Sequence, residues 1–410
     1  MVRKDNNGHV LRKGECLRKD GRYVYTYTDS IGRRRCIYSK NLLKLRERED
    51  KLIRDKMAGL DVYRASTVTI NMVFDKYLST KIGLKSTTHS NYIYTWNYFV
   101  RETFGMRKIG EVKYSDVLFF YNYLTKEKGI KISSLENVHT LLFPTFKLAV
   151  RDNIIRQNPA EGAMTDLKRR FGRRRKRRKA LTVEQQKAFI NYIKDNPVFG
   201  KWYPILVFLL GTGCRAGEAI GLTWDDVDFN KRQININHSL IYYPRREDTG
   251  RCEFRVSTPK TEASIRIIPM IGPVYDVLLR EYSRQLKEGF SKKSIDGITN
   301  FIFTNRYGNL YNPQAINRAI VRIVNSYNMK ENENVMIENR EPVIIPHISC
   351  HNLRHTFASR LCETETNVKV IQQIMGHADV AITMNIYAEV SESRINVSIE
   401  NMEQSYNELF

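Results

Sequence analysis

Between Lys168 and Lys179 the chain reads KRRFGRRRKRRK, ten basic residues in twelve. No core can take up such a block, because each buried cation needs an anionic partner and the block brings none. It has to lie at a surface or between folded parts, extended until a polyanion neutralises it. The residues on either side must then build cores of their own. With 410 residues, 42% of them hydrophobic, the chain has material for roughly two to three cores. Composition leaves three roles open for the block: an interdomain linker that follows DNA, a nuclear-localisation patch, or a solvated loop. Its position between two differently patterned halves favours the linker.

The same excess marks the whole chain. Lys and Arg number 67 against 44 Asp and Glu, a formal charge of +23. That surplus points to a polyanionic partner, nucleic acid first, with a membrane surface or an acidic protein as the duller reading. The longest apolar run, Trp202 to Leu210, falls well short of the ~20 residues a spanning helix needs. The opening MVRKDNNGHVLRKGE lacks the apolar stretch of a signal peptide. A cytoplasmic protein is expected, with no membrane partner. Cys16, Cys36, Cys214, Cys252, Cys350 and Cys362 form no CxxC pair and read as free thiols. Cys350, His351 and His355 lack a second cluster at ligand spacing, so no metal is expected.

Along the chain the pattern changes several times. Residues 1–64 read as a small β-ribbon plus helix. Arg22 to Thr28 (RYVYTYT) alternates as a half-buried strand should, a turn follows at Asp29–Gly32, and Arg33 to Ser39 returns. Lys40 to Lys56 is an amphipathic helix carrying Leu42, Leu43, Leu45 and Leu52. Residues 65–165 read as a helical domain with segments Thr69–Lys81, Thr87–Phe104, Tyr114–Gly129 and Ser133–Asp152. Their N-cap candidates are Ser86-Thr87-Thr88, Ser115-Asp116 and Ser133-Ser134. After a basic linker, 166–180, a mixed α+β domain spans 181–390. It opens on a capping box at Thr182 and Gln185, with strands near Gln233–Ile241 and Phe254–Ile268. A tail, 391–410, has too few apolar residues to fold alone. The expected class is multidomain, mainly α with β.

Three segments of the large domain carry unusual side chains: GTGCRAGEAIGLTW (Gly211–Trp224), STPKTEASIRIIP (Ser257–Pro269), and HISCHNLRHTF followed by MGH and TMNIY (His347–Tyr387). Taken singly, an arginine in TGCRAGE is more often a surface charge, a Gly-His pair is usually a helix end, and Tyr387 is one of 23 tyrosines. Together and in this order they resemble the tyrosine recombinase (phage-integrase) family. Its pattern is an Arg in T-G-x-R-x-x-E, a hairpin Lys, H-x-x-R, G-H, and a tyrosine about ten residues beyond. The match runs from Leu181 to about Val390. The helical domain also looks like this family's core-binding domain, and the ribbon resembles the arm-binding domain of integrases from conjugative transposons.

The chemistry can be read from the residues as well. A reversible DNA cut needs a nucleophile that keeps the phosphate bond energy, and a tyrosine ester does so with no cofactor. A phenol of pKa about 10 is weak at neutral pH, so charge on the phosphate must be stabilised strongly. Arg215 and Arg354 are the candidates, as guanidiniums that contact phosphate oxygens in pairs. His351 precedes Arg354 by three residues, and a helix puts both on one face. The resemblance implies that Tyr387 is the nucleophile, Lys260 the general acid, His351 the proton acceptor, and His377 a phosphate ligand. Lys287, Lys292 and Lys293 are weaker alternatives to Lys260. Glu218 would orient Arg215, and His355 reads as a structural neighbour.

DNA contacts are expected from Arg22, Arg33 and Arg35 and the tyrosine-rich strand around Val24, because a major groove accepts a two-stranded ribbon. A small aromatic core with merely solubilising arginines is the other reading of that strand. Lys168, Arg173, Arg174 and Arg175 are the expected contacts of the linker. The resemblance further implies a homotetramer on double-stranded DNA, a Holliday junction, integration and excision of a mobile element, and excisionase-like or DNA-bending accessory proteins. It also implies a nucleoid-associated enzyme in a bacterial cytoplasm, and a tail that docks on its own domain or on a neighbour. A non-enzymatic DNA-binding regulator would explain the charge but not the site residues. A type IB topoisomerase-like enzyme would share the chemistry on a single duplex.

Overall fold

The computed structural model describes residues 3–29, 32–57, 66–171, 180–244, 252–257 and 265–388. Lys260, Arg173, Arg174, Arg175 and the tail 391–410 lie outside the described residues. The chain divides into two compact units, residues 1–175 and 176–410.

The first unit opens with three antiparallel strands, β1 (Glu15–Leu17), β2 (Tyr23–Thr28) and β3 (Arg34–Ser39), in that order across the sheet. Val24 pairs with Tyr38 and Tyr25 with Ile37. Helix α1 (Leu42–Met57) packs on β2 and β3, with Leu45 and Leu52, two turns apart, both buried. Strict alternation would bury only one of Tyr23 and Val24, yet both are buried. The Tyr23 hydroxyl is held inward by Asp5, to which it donates at 2.6 Å.

Helices α2 (Ile70–Ser79), α3 (Ser86–Trp96), α4 (Tyr114–Lys126), α5 (Ile132–Arg151) and α6 (Ala163–Phe171) follow. Their core centres on Trp96, stacked 3.8 Å from Phe74 and donating its indole N–H to Asn71 at 2.9 Å. Thr69 caps α2, accepting from the Met72 N–H. The caps expected for the next helices are displaced. Lys85, Lys113 and Lys131 hold the N-cap positions, so the serines and threonines fall inside the first turn. Asp116 caps α4 from there, accepting the Lys113 N–H at 2.8 Å. The basic block is also not extended throughout. Lys168 belongs to α6, where its ammonium lies 2.7 Å from Glu136.

The second unit begins with α7 (Val183–Lys194), closed by the Thr182–Gln185 capping box. At its centre lies α8 (Tyr203–Thr212), buried from Ile205 to Thr212 on every side, as only a helix enclosed by others can be. A short helix α9 (Ala216–Gly221) follows. Next come a three-stranded antiparallel sheet of β4 (Val227–Asp228), β5 (Gln233–Ile236) and β8 (Arg266–Pro269), and the paired strands β6 (Ser239–Pro244) and β7 (Cys252–Ser257). The continuous strand expected over Gln233–Ile241 breaks at Asn237 and His238. Their side chains turn to Asp226 at 2.9 Å and to the Gly221 carbonyl at 2.7 Å. Helices α10 (Gly272–Glu288), α11 (Pro313–Glu338), α12 (Cys350–Thr364) and α13 (Val368–Met375) and a helical segment over 380–388 complete the unit. Among the described residues, no helix is long and apolar enough to cross a membrane.

Candidate active site

Two left-handed turns set the geometry. The first ends α8 at Gly213, where φ is +64° and a Cβ would stand 2.4 Å from the Phe357 ring. The turn sends Cys214 into the core and delivers Arg215 to the start of α9. There the Arg215 N–H donates to Glu218 Oε2 at 2.9 Å, and its Nη1 donates to Glu218 Oε1 at 2.7 Å. One carboxylate thus caps the helix and fixes the guanidinium together.

The second turn ends α13 at Gly376, φ +61°. The last carbonyls of a helix have no partner within it and carry the negative end of its dipole. Here three successive ones are taken by three arginines from three different elements. Arg266 Nε of β8 donates to the Ile374 carbonyl at 2.8 Å, Arg354 Nη2 of α12 to Met375 at 2.5 Å, and Arg215 Nη2 to Gly376 at 3.0 Å. Arg354 Nη1 reaches back to the Gly213 carbonyl at 2.6 Å, joining the two turns. Arg266 Nη2 and Nη1 hold Glu218 at 2.8 and 3.3 Å. Glu218 is the hub: it orients Arg215 on one side and anchors Arg266 on the other.

Among the described residues, three guanidiniums face one carboxylate, so two positive charges stand in excess there. Burial alone would push Glu218 up, but its bonds to Arg266 and the charges of Arg266 and Arg215 outweigh that and hold it at about 2. Arg354 shows the strain from the other side. Burial and then the neighbouring Arg215 charge bring its guanidinium down to about 10, where it still keeps its proton at neutral pH. Arg215 is the one whose side chain reaches solvent, 43% exposed against 2% for Arg266. A buried surplus of positive charge with one accessible guanidinium is suited to receive an anion.

His377 follows Gly376 directly and is buried. Burial, then the charges of Arg354, Arg215 and Arg266 and of His351, bring its imidazole down to about 4, so it is neutral near pH 7. Its Nδ1 lies 3.0 Å from the hydroxyl of Thr383, which is wholly buried. Tyr387 stands four residues further along the 380–388 helix, half-buried against the cluster of Ala358, Cys362, Ile371 and Met375. His351 and Arg354 share α12, with His351 exposed and Arg354 buried. His355 is half-buried, its Nδ1 3.4 Å from the Ser359 hydroxyl.

In the N-terminal ribbon, Arg22 donates to Asp20 at 2.7 Å, Arg35 donates to the buried Asp29 at 3.1 Å, and Arg33 is exposed. Val24 faces inward. Two residues of the candidate site escape the sequence reading. Arg266 sits in the same strand phase as buried Ile268, while Ile265 and Ile267 on the opposite phase are exposed. A basic residue on the inward phase of RIIP was the available signal. Thr383 was detectable as the residue one helical turn before Tyr387.

Comparison with known proteins agrees with this geometry. Residues 179–394 match the sequence profile of the Phage integrase family, and residues 1–56 match that of the DNA binding domain of tn916 integrase. The chain is 30% identical to the transposase from transposon Tn916 of Enterococcus faecalis, over 95% of this chain and 94% of that protein. The Tn1549 transposon integrase, solved with a circular intermediate DNA, superimposes with a TM-score of 0.68 at 28% identity, over 80% of this chain and 99% of that one. A lambda integrase tetramer bound to a Holliday junction shares the fold, with a TM-score of 0.51 at 16% identity over 91% of this chain and 94% of that one. On these grounds the chain belongs to the phage integrase family, as a tyrosine recombinase of the conjugative-transposon kind that performs site-specific DNA recombination.

Proposed function

We propose that Tyr387 attacks the scissile phosphate, forming a 3′-phosphotyrosyl bond as the bond to the deoxyribose 5′ oxygen breaks. His351 takes the phenol proton, and Lys260 supplies the proton that leaves with the 5′ hydroxyl. Arg215 and Arg354 hold the non-bridging oxygens, with His377 as a third donor. Glu218 and Arg266 keep the two guanidiniums in place, and His355 supports α12. No cofactor enters this scheme. The observation that carries the reading is the charge balance around the end of α13. A phosphodiester brings one negative charge and its pentacoordinate transition state two, matching the positive surplus of the arginine cluster counted among the described residues. Stabilisation therefore grows along the reaction, which accelerates the step rather than merely tightening binding.

In this reading the freed 5′ hydroxyl attacks a partner strand's phosphotyrosine, and strands exchange through a Holliday junction in a homotetramer. The outcome is integration and excision of a mobile element. Residues 1–64 hold arm-type sites through Arg22, Arg33 and Arg35. Residues 65–165 grip the core site, 166–180 link the two along the backbone through Lys168, Arg173, Arg174 and Arg175, and 181–390 cut. The tail 391–410 couples protomers, excisionase-like and bending proteins set direction, and the enzyme works on the nucleoid of a bacterial cytoplasm. The Tn1549 integrase solved on circular intermediate DNA and the lambda integrase tetramer solved on a Holliday junction support this course. The test is covalent trapping on nicked DNA carrying an element end. A protein–DNA adduct on a denaturing gel that Tyr387→Phe abolishes, with binding retained, is the expected result. Tight binding of a verified site without any adduct would sink the mechanism and leave a DNA-binding protein on a retired scaffold.

A further inference from the structure

His377 is asked to donate to a phosphate oxygen while it is neutral. A neutral imidazole has a single N–H, and the hydrogen bond at the other nitrogen decides which nitrogen carries it. Among the described residues, the hydrogen-bonding partner of Nδ1 is the Thr383 hydroxyl at 3.0 Å. The remaining bonds of His377 involve its backbone: its N–H goes to the Gln372 carbonyl, and its own carbonyl accepts from Gln372 Nε2 at 2.9 Å. The ring is therefore steered at Nδ1, and Nε2 is left for the substrate. A hydroxyl can donate or accept, but only donation to Nδ1 leaves the proton on Nε2.

We propose that Thr383 is a positioning residue that donates its hydroxyl proton to His377 Nδ1, fixing the Nε2–H tautomer and tying the helix of Tyr387 to the phosphate-binding turn. This rests on the reading of His377 and Tyr387 given above. Thr383 suits the role on three counts. It is wholly buried, so water cannot replace its bond. It lies four residues before Tyr387, on the same helical face, so the bond pins the helix one turn from the nucleophile. Its side chain is β-branched, with few rotamers to lose. Burial and the arginine charges keep the imidazole from taking a second proton, so Nδ1 stays an acceptor at neutral pH. Seating of the Tyr387 helix and readiness of the phosphate donor then become one event.

The experiment uses the full chain on nicked element-end DNA, measuring the single-turnover rate of Tyr387 adduct formation alongside DNA affinity and thermal melting. Thr383→Val should slow cleavage about tenfold, less than the ~100-fold expected when the donor itself is removed in His377→Ala. DNA affinity and melting should stay near those of the parent. Thr383→Ser, which keeps the donor, should restore most of the rate. In the His377→Ala background, Thr383→Val should change the rate less than about twofold, because the two residues act as one unit. An equal loss in both backgrounds, no loss at all, or no rescue by serine would overturn the proposal while leaving the Tyr387 mechanism intact. Should Thr383→Val unfold, nitrogen-15 spectra of histidine-labelled parent protein decide instead: a proton on Nε2 of His377 supports the assignment, and one on Nδ1 refutes it. A parent that binds its site yet forms no adduct would overturn both readings together.

Discussion

In the N-terminal module, buried Glu15 and Glu49 share the arginines Arg46 and Arg12; in the second unit, Glu218 is the one carboxylate among the described residues that faces Arg215, Arg266 and Arg354. Arg46 holds both oxygens of Glu15 at 3.0 and 3.1 Å, whereas Glu49 Oε2 has no hydrogen bond among the described residues and lies 3.7 Å from Arg12. The first cluster is short of cations and the second short of anions. Burial, then the neighbouring Glu15, raise Glu49 to about 7. Near neutrality the acid-rich cluster can correct itself by taking a proton. The arginine-rich cluster has no such route, since even Arg354, brought down to about 10, stays charged. One imbalance is settled by solvent protons, and the other persists until an anion arrives. On the function proposed above, that difference separates a structural ion cluster from a catalytic one.

The strongest test of the contrast is Glu218→Gln, which removes the carboxylate that, among the described residues, balances the arginine cluster. Breaking a buried pair from one side costs about 3–5 kcal/mol, and here the remaining guanidiniums also repel. Urea unfolding, followed through amide exchange of 203–221, should show a loss of that order near neutral pH, with cleavage abolished. The pH response should change too. Glu218, held at about 2 against an ordinary 4.5, contributes stability that is present above the ordinary value and lost as pH falls through about 2. The variant should lack this acid limb. His377, lowered from 6.5 to about 4, adds a separate decline between those values that should remain. A Glu218→Gln protein as stable as the parent would break the charge argument.

Next in size is Arg266→Lys. Charge is kept, but an ammonium cannot hold both oxygens of Glu218 and the Ile374 carbonyl at once. A loss of about 2 kcal/mol in transition-state stabilisation, some 30-fold in single-turnover cleavage, is expected. DNA affinity and its salt dependence should be unchanged, because a side chain only 2% exposed is too deeply buried to serve as a DNA-backbone contact. A parallel fall in affinity would mean that Arg266 shapes the DNA surface rather than the site.

Arg266 also shows where the sequence stops being informative. The spacing around Arg215, Arg354, His377 and Tyr387 is legible because each lies in a short motif whose geometry is local: a turn after a helix, one helical face, one turn of helix. The partners that give these residues their charge state come from elsewhere in the chain. Arg266 reaches Glu218 across 48 positions, and Arg354 reaches Gly213 across 141. In RIIP the apolar residues mask the pattern, since Ile267 is exposed while Arg266 is buried. Most helices were legible to within a few residues, and so was the Thr182–Gln185 capping box, but the caps expected in the helical domain were not. Lys85, Lys113 and Lys131 start helices whose serines sit inside the first turn, where Asp116 does the capping by reaching back. Lys168 is similar: like-charge density predicts an extended strand, and a partner distant in sequence, Glu136, holds it in a helix.

The smallest effect, and the one that discriminates most sharply between the two clusters, is Glu49→Gln. An acid whose folded pKa is raised contributes stability that is complete below its ordinary value of 4.5 and lost as pH rises through about 7. The N-terminal module should therefore weaken between about pH 5 and pH 8, the direction opposite to that of the catalytic unit. Gln carries the shape of the protonated acid without the proton to lose. At about pH 5 the variant should match the parent; at about pH 8 it should be more stable by about 1–2 kcal/mol, less than the full shift implies because the denatured state is not featureless. Amide exchange of strands β2 and β3, corrected for its intrinsic pH dependence, reads this module separately from the rest of the chain. A variant weaker than the parent at both pH values would show that Glu49 is held as a carboxylate by Arg12. The N-terminal cluster would then be a permanently charged ion network like the arginine cluster, and proton uptake would no longer separate the two.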